Sequence, residues 1–245
     1  MKYAFITGAN RGIGLEVTRQ LLQRGVYVYL GCRDLEKGEA AAAKLKEDGL
    51  TQVEPVEVDV SDAGSIRKAA ETIAGKQVQL DILINNAGIA GDYPQSALTM
   101  DVAEMKRVYD TNLFGTVNMV QAFYPLLKDA PVPVIVNVTS GLGSLTLHHD
   151  PDWNHYQVKL AAYGPSKTAL NAYHTVLAYE LRDTPFRVNV VDPGYTATEF
   201  NNFSGPNDVS EGAAPIVEYA LLDADGPTGR FVSYDNSPET GISPW

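Results

Sequence analysis

The chain has 245 residues, 44% hydrophobic and 20% charged, the balance of an ordinary globular protein with enough material for one full core. Its net charge of −11 repels nucleic acid and anionic membranes at long range, so neither is expected as a partner. No apolar run reaches the roughly 18 residues of a membrane span. Met1–Ile6 run straight into a buried strand and leave no room for a signal peptide. Cys32 is the only cysteine, which forbids an internal disulfide and fits a reducing, cytoplasmic setting.

Strand and helix patterns alternate from the start. Lys2–Thr7 reads as a strand, followed by a glycine-rich turn and a helix over about Ile13–Arg24. Val26–Cys32 is a second strand, and Asp34–Asp48, with its alanine run, a second helix. Val53–Asp59 alternates like a strand, and Ser61 is positioned to cap the helix that follows. Leu80–Asn85 is a short apolar strand, and a long helical stretch covers about Asp101–Lys128. Val134–Thr139 is β-branched, Tyr163–Asp183 is helical with Pro165 in its first turn, and Phe186–Asp192 is a further strand. Repeated β-α-β order with short connections predicts one α/β domain over 1–245, a doubly wound parallel sheet with helices on both faces. Two stretches break the rhythm: about 141–162, polar and aromatic, and about 195–212, rich in Asn, Ser, Gly and Pro. Both follow strand ends, where such sheets build their sites.

The first strand ends in Thr7-Gly8-Ala9-Asn10-Arg11-Gly12-Ile13-Gly14. Gly8, Gly12 and Gly14 allow a tight turn and close approach to a pyrophosphate, which the N–H groups of the next helix then face. The turn follows a strand, opens a helix and lies at the start of the chain, the context that gives the motif meaning. The acidic net charge makes local cations informative. Arg33 follows Cys32 at the end of the second strand, where an NAD-preferring site carries an acidic residue. A neutral residue there followed by a guanidinium suits a 2′-phosphate, with Arg11 as a second cation.

The Thr-Gly-x-x-x-Gly-x-Gly spacing resembles that of the compact, single-domain short-chain dehydrogenase/reductase family, over Lys2 to about Thr198. The resemblance implies a Rossmann-type fold, NADP(H) as cofactor, and cofactor contacts from the turn's Asn10, Arg11 and Ile13 as well as its glycines. It further implies an adenine pocket at Asp59 and Val60, and cofactor contacts at Asn86, Ala87 and Gly88 within Asn85-Asn86-Ala87-Gly88. The Arg33-Asp34 pair is similar to that of NADP-preferring members, so Asp34 is not read as a ribose ligand.

Tyr163 and Lys167 lie four apart and share one helix face. A phenol near pKa 10 is a poor proton donor or acceptor at neutral pH, and a nearby ammonium is expected to lower it. In the family such a tyrosine is the proton donor, and the lysine also binds the nicotinamide ribose. Ser140 matches the serine that hydrogen-bonds the substrate oxygen; strand alternation sends neighbouring Thr139 to the opposite face. Asn112 matches the asparagine that holds a water connecting Lys167 to solvent. Pro193, Gly194, Thr196 and Thr198 match the segment that orients the nicotinamide, Thr198 better than Thr196. The implied activity is reversible NADPH-dependent reduction of a ketone or aldehyde, as in the carbonyl reductases of the family.

Two departures stand out. Ser140 and Tyr163 are 23 residues apart, more than in most compact members, with the excess within Leu145–Leu160. The ending from Gly229 to Trp245 also differs from the family's tetrameric members, so monomer, dimer and tetramer all stay open. Competing readings are weaker. Ser140 lacks the Gly-x-Ser-x-Gly context of a hydrolase nucleophile. His148, His149 and His155 show no ligand spacing, so no metal is expected. Asn202-Phe203-Ser204 is a glycosylation sequon without a secretory signal. An extended-family epimerase needs a larger C-terminal domain. An NADP(H)-sensing binding protein with the same fold is the alternative, although such proteins commonly lose the Tyr or the Lys, and both are present here.

Overall fold

The computed structural model describes residues 1–245. In chain order the elements are β1 (Tyr3–Thr7), α1 (Gly12–Gln23), β2 (Tyr27–Cys32), α2 (Leu35–Glu47), β3 (Val53–Glu57), α3 (Ala63–Gly75) and β4 (Ile82–Asn85). Then come α4 (Val102–Tyr109), a π-helical turn (Asp110–Phe114), α5 (Gly115–Leu127), β5 (Val134–Val138) and the short α6 (Leu145–His148). The chain continues with α7 (Tyr163–Glu180), β6 (Arg187–Val191), α8 (Val209–Ala220) and β7 (Phe231–Val232).

The seven strands form one parallel sheet in the order β3-β2-β1-β4-β5-β6-β7. The chain winds outward from β1 to β3, then returns to the other side of β1 at β4. That reversal makes the β1/β4 boundary a switch point, and a crevice opens beyond the strand ends there. Strand side chains alternate between two cores. Ala4, Ile6, Ile82, Ile84, Val134 and Val136 join one core with Val17 and Leu21 of α1, Leu45 of α2 and Ile216 of α8. Phe5, Leu83 and Ile135 face the other, with Ile66 and Ile73 of α3, Phe123 of α5 and Leu177 of α7. Burial on both faces explains why these strands are almost continuously apolar.

Three local readings change. Asp62, not Ser61, caps α3, its side chain accepting from Gly64 N at 2.7 Å. The Ser61 hydroxyl is spent on Asp59 Oδ1 at 2.6 Å. The long helix expected over Asp101–Lys128 is present but widens into the π turn around Asn112. α8 begins inside the predicted loop, on an Asp208–Glu211 capping box. β7 is only two residues long.

Candidate active site

The C-terminal ends of β1, β2, β4, β5 and β6 wall one continuous cleft of about 1340 Å3. Of the residues expected to act, the glycine turn, Arg33, Asp59, Val60, Asn86–Gly88, Ser140, Tyr163, Lys167, Pro193, Gly194, Thr196 and Thr198 all line it. Asn112 does not line it and lies buried behind the wall.

One end of the cleft suits a phosphorylated dinucleotide. At Gly14 a Cβ would collide with the carbonyl of Gly8 and the amide of Asn86, so the turn closes only around a hydrogen. No side chain caps α1, and no acidic residue stands in its first turn, so its leading N–H groups face the cleft open to an anion. Asn86 fastens the turn to β4, its Nδ2 donating to Thr7 O at 2.9 Å and Gly8 O at 3.2 Å. The Thr7 hydroxyl accepts from the Asn86 and Ala87 N–H groups, both at 3.0 Å. Asn86 is thus a strand clamp as well as a wall residue.

The basic residues at this end differ in availability. Asp34 caps α2 and pairs with Lys37 at 2.8 Å, and the Lys37 contacts hold its carboxyl below the usual range. It is a helix cap facing a lysine, not a free carboxylate beside a ribose. Arg11 and Arg33 are exposed, line the cleft and have no carboxylate within ion-pair distance. Two unpaired guanidiniums in a chain this acidic fit a 2′-phosphate. Cys32 is buried, and burial pushes its thiol up to about 11, so it stays neutral. The cradle, the open helix start and the free cations together fit NADP(H).

The other end holds the reactive groups. Tyr163 opens α7, and its ring edge is partly exposed to the cleft. Lys167, one turn on, is 4% exposed and donates from Nζ to Val138 O at 2.9 Å. Its Nζ is 5.9 Å from the Tyr163 ring centroid. Burial lowers the Lys167 pKa to about 8, and Asp192 pulls it back up. The expected lowering of the Tyr163 phenol is not found. Burial and the neighbouring Asp192 push its pKa up, against a hydrogen bond with Ser140 that lowers it. The Ser140 hydroxyl also accepts from Leu142 N at 3.2 Å. Thr139 points away and donates to buried Asn171 at 2.7 Å, so the two neighbours separate as alternation requires.

Asn112 spends both amide hydrogens and one of its two acceptor sites on protein. Oδ1 accepts from Ile89 N at 2.9 Å, and Nδ2 donates to Ile89 O and Ser166 Oγ, both at 3.0 Å. Ser166 in turn donates to Tyr163 O at 2.7 Å. Thr196 is buried, and its hydroxyl donates to Pro193 O at 3.0 Å, which fixes its own loop. The Thr198 side chain approaches the glycine turn, 3.6 Å from where a Gly12 Cβ would stand.

Two further residues support the pair, neither of them assigned a role from the sequence. Gln95, 6% exposed, accepts at Oε1 from Ala162 N at 3.0 Å and Tyr163 N at 3.1 Å, capping α7 from the loop after β4. Asp192 is 5% exposed at the end of β6. Its one available signal was a charge ending an apolar strand.

The insertion folds over this end. Trp153 packs edge-on against His148 and His155, and His155 edge-on against Tyr195. Phe200 lies 5.6 Å from Tyr163, centroid to centroid.

An anion cradle and a tyrosine backed by a buried lysine, at opposite ends of one switch-point crevice, put the chain among the dinucleotide-dependent oxidoreductases. The family model described as short chain dehydrogenase matches residues 2–208, and the chain belongs to that family. It is 33% identical to a (+)-neomenthol dehydrogenase of Capsicum annuum, over 94% of this chain and 95% of that one. It is 31% identical to a salutaridine reductase of Papaver bracteatum, over 97% and 95%. The structure of salutaridine reductase from Papaver somniferum superposes with a TM-score of 0.82 at 31% identity, covering 94% of this chain and 99% of that one. NADPH-bound carbonyl reductase from chicken fatty liver superposes at 0.85 and 26% identity, covering 100% and 99%.

Proposed function

We propose that this chain is an NADPH-dependent carbonyl reductase that works as a single domain and reduces a ketone or aldehyde to an alcohol, reversibly. The observation that carries the reading is the shared cleft: Tyr163, Lys167 and Ser140 stand at one end, and the α1 N-terminus with Arg11 and Arg33 at the other. The named activities of the relatives support it. When bound, NADPH supplies the hydride.

The chain supplies position and the proton. Arg33 and Arg11 hold the 2′-phosphate, the N–H groups of α1 the pyrophosphate, and Asp59 and Val60 the adenine. Pro193, Gly194 and Thr198 orient the nicotinamide end, with Thr196 fixing their loop. Ser140 donates to the substrate oxygen and Tyr163 transfers its proton there. The Lys167 ammonium faces the phenolate left behind and steadies it. Asn112 supports the site from behind by tying Ser166, and through it the first turn of α7, to Ile89.

The substrate end is aromatic, with Trp153, Tyr195, Phe200 and Tyr93 on its walls, which suits a hydrophobic carbonyl. No helix is long and apolar enough to cross a membrane. A cytoplasmic setting is supported by the single cysteine, buried as a thiol. The test is NADPH oxidation with a panel of menthone, phenanthrenequinone and benzaldehyde, repeated with NADH. Turnover of at least one compound, faster with NADPH, is expected. NADPH binding without turnover of any would favour a sensor instead.

A further inference from the structure

Asp192 takes no part in that reaction, yet its carboxylate is buried in the wall of the cleft that holds the reactive pair. Oδ1 accepts from Gly194 N at 3.0 Å. Oδ2 accepts from Ser233 Oγ at 2.8 Å and Asn236 Nδ2 at 3.0 Å. The Gly141 N–H is a further donor. Ser233 Oγ already accepts from the Asn236 amides, N at 3.2 Å and Nδ2 at 2.8 Å, so its own proton is free to point at Asp192. Every partner of the carboxylate is therefore a donor, the arrangement that holds an ionised acid. Burial, with Asp235 adding to it, holds its pKa above the usual carboxylate range, and the Ser233, Gly194 and Gly141 donors act against that rise in favour of the ionised form.

Three segments meet on this one group: the turn carrying Ser140, the Pro193–Gly194 turn, and the segment after β7. The fit is tight, since a Cβ at Gly141 would collide with the Asn236 amide. Asn236 Oδ1 also accepts from Trp153 Nε1 at 2.7 Å, which ties the insertion to the same point. Tyr163 and Lys167 of α7 line the same cleft as Asp192 and feel its charge. The Asp235 carboxylate also acts on it, and His155 Nε2 lies 3.9 Å from Asp235 Oδ2.

We propose that Asp192 is a positioning residue for proton transfer: it locks the Ser140 turn, the nicotinamide-side turn and the insertion into one frame, and its donors hold a negative charge in the cleft wall it shares with Tyr163 and Lys167. This rests on Tyr163 being the proton donor. A negative neighbour disfavours the phenolate and favours the ammonium, so the pair keeps its proton to higher pH. Reduction needs the phenol protonated, and alcohol oxidation needs the phenolate. Asp192 therefore carries the pH limbs of both directions upward.

The test uses Asp192→Asn and Asp192→Ser in the full chain, with the panel ketone of highest kcat/KM and its alcohol as probes. NADPH binding, followed by its fluorescence, reports that the fold and cradle are intact; the serine variant serves if the asparagine one does not bind. The high-pH limb of reduction is expected to move to lower pH by about one unit, and the oxidation limb with it. Limbs superimposable on wild type, with kcat lowered equally at all pH values, would leave Asp192 a merely structural residue and overturn the proposal. An active Tyr163→Phe would instead overturn the reading on which it rests.

Discussion

Gln95 Oε1 accepts a hydrogen bond from the backbone N–H of Tyr163 at 3.1 Å, 68 residues away in sequence. The same oxygen takes the Ala162 N–H, and Nε2 donates to Ala90 O at 2.6 Å. Ala162, at the N-cap of α7, has no side chain to cap the helix. Gln95 supplies that cap from outside, and so sets where the tyrosine enters the cleft.

Gln95→Leu should leave two buried donors unpaired. It is expected to cost about 1–2 kcal/mol of stability and to lower kcat by ~10- to 100-fold through misplacement of Tyr163. KM for NADPH should change little, because the cradle is remote from it. Denaturant melts and steady-state kinetics check this; unchanged kcat would remove Gln95 from the account.

Arg33→Ala should raise KM for NADPH by roughly 10- to 100-fold, the loss of a charged hydrogen-bonding partner. KM for NADH should stay close to wild type. Equal effects on both cofactors would mean that Arg33 does not meet the 2′-phosphate.

Much of this end of the site was legible in the sequence because it depends on local chemistry. The glycine turn, the Arg33 step and the four-residue Tyr163–Lys167 spacing are each confined to one short segment. The strands were legible for the same reason, as apolar runs between turns. Gln95 and Asp192 were not, because what they do depends on groups 67 and 41 residues away. α8 was hidden because it starts inside a stretch rich in Asn, Ser, Gly and Pro and carries Pro215 within it. Asn112 was recognised as important, but its partners Ile89 and Ser166 were out of reach of any spacing argument.

Lys167 makes stability depend on pH. Its pKa falls from 10.5 to about 8 on folding. Between those values the unfolded chain binds more protons, so this residue's contribution makes stability rise with pH across the window. Lys167→Met removes that slope. In cofactor-free melts, the Tm of the variant minus that of the wild type should therefore fall as pH rises from about 7 to about 10. A constant difference would mean that the ammonium is not penalised by burial.

Trp153 donates to Asn236 at 2.7 Å and stands in a row of edge-on rings. Trp153→Ala should open the substrate wall, raising KM for menthone while sparing benzaldehyde. A shift of the same size for both would place Trp153 outside the substrate pocket.

The central claim is that Tyr163 gives the proton. The most direct measurement is Tyr163→Phe, with NADPH affinity from fluorescence titration and turnover of the best panel carbonyl in the same preparation. The account predicts affinity close to wild type and kcat reduced by at least ~100-fold, the scale of a lost general acid. Turnover near the wild-type rate, with NADPH still bound, would contradict it.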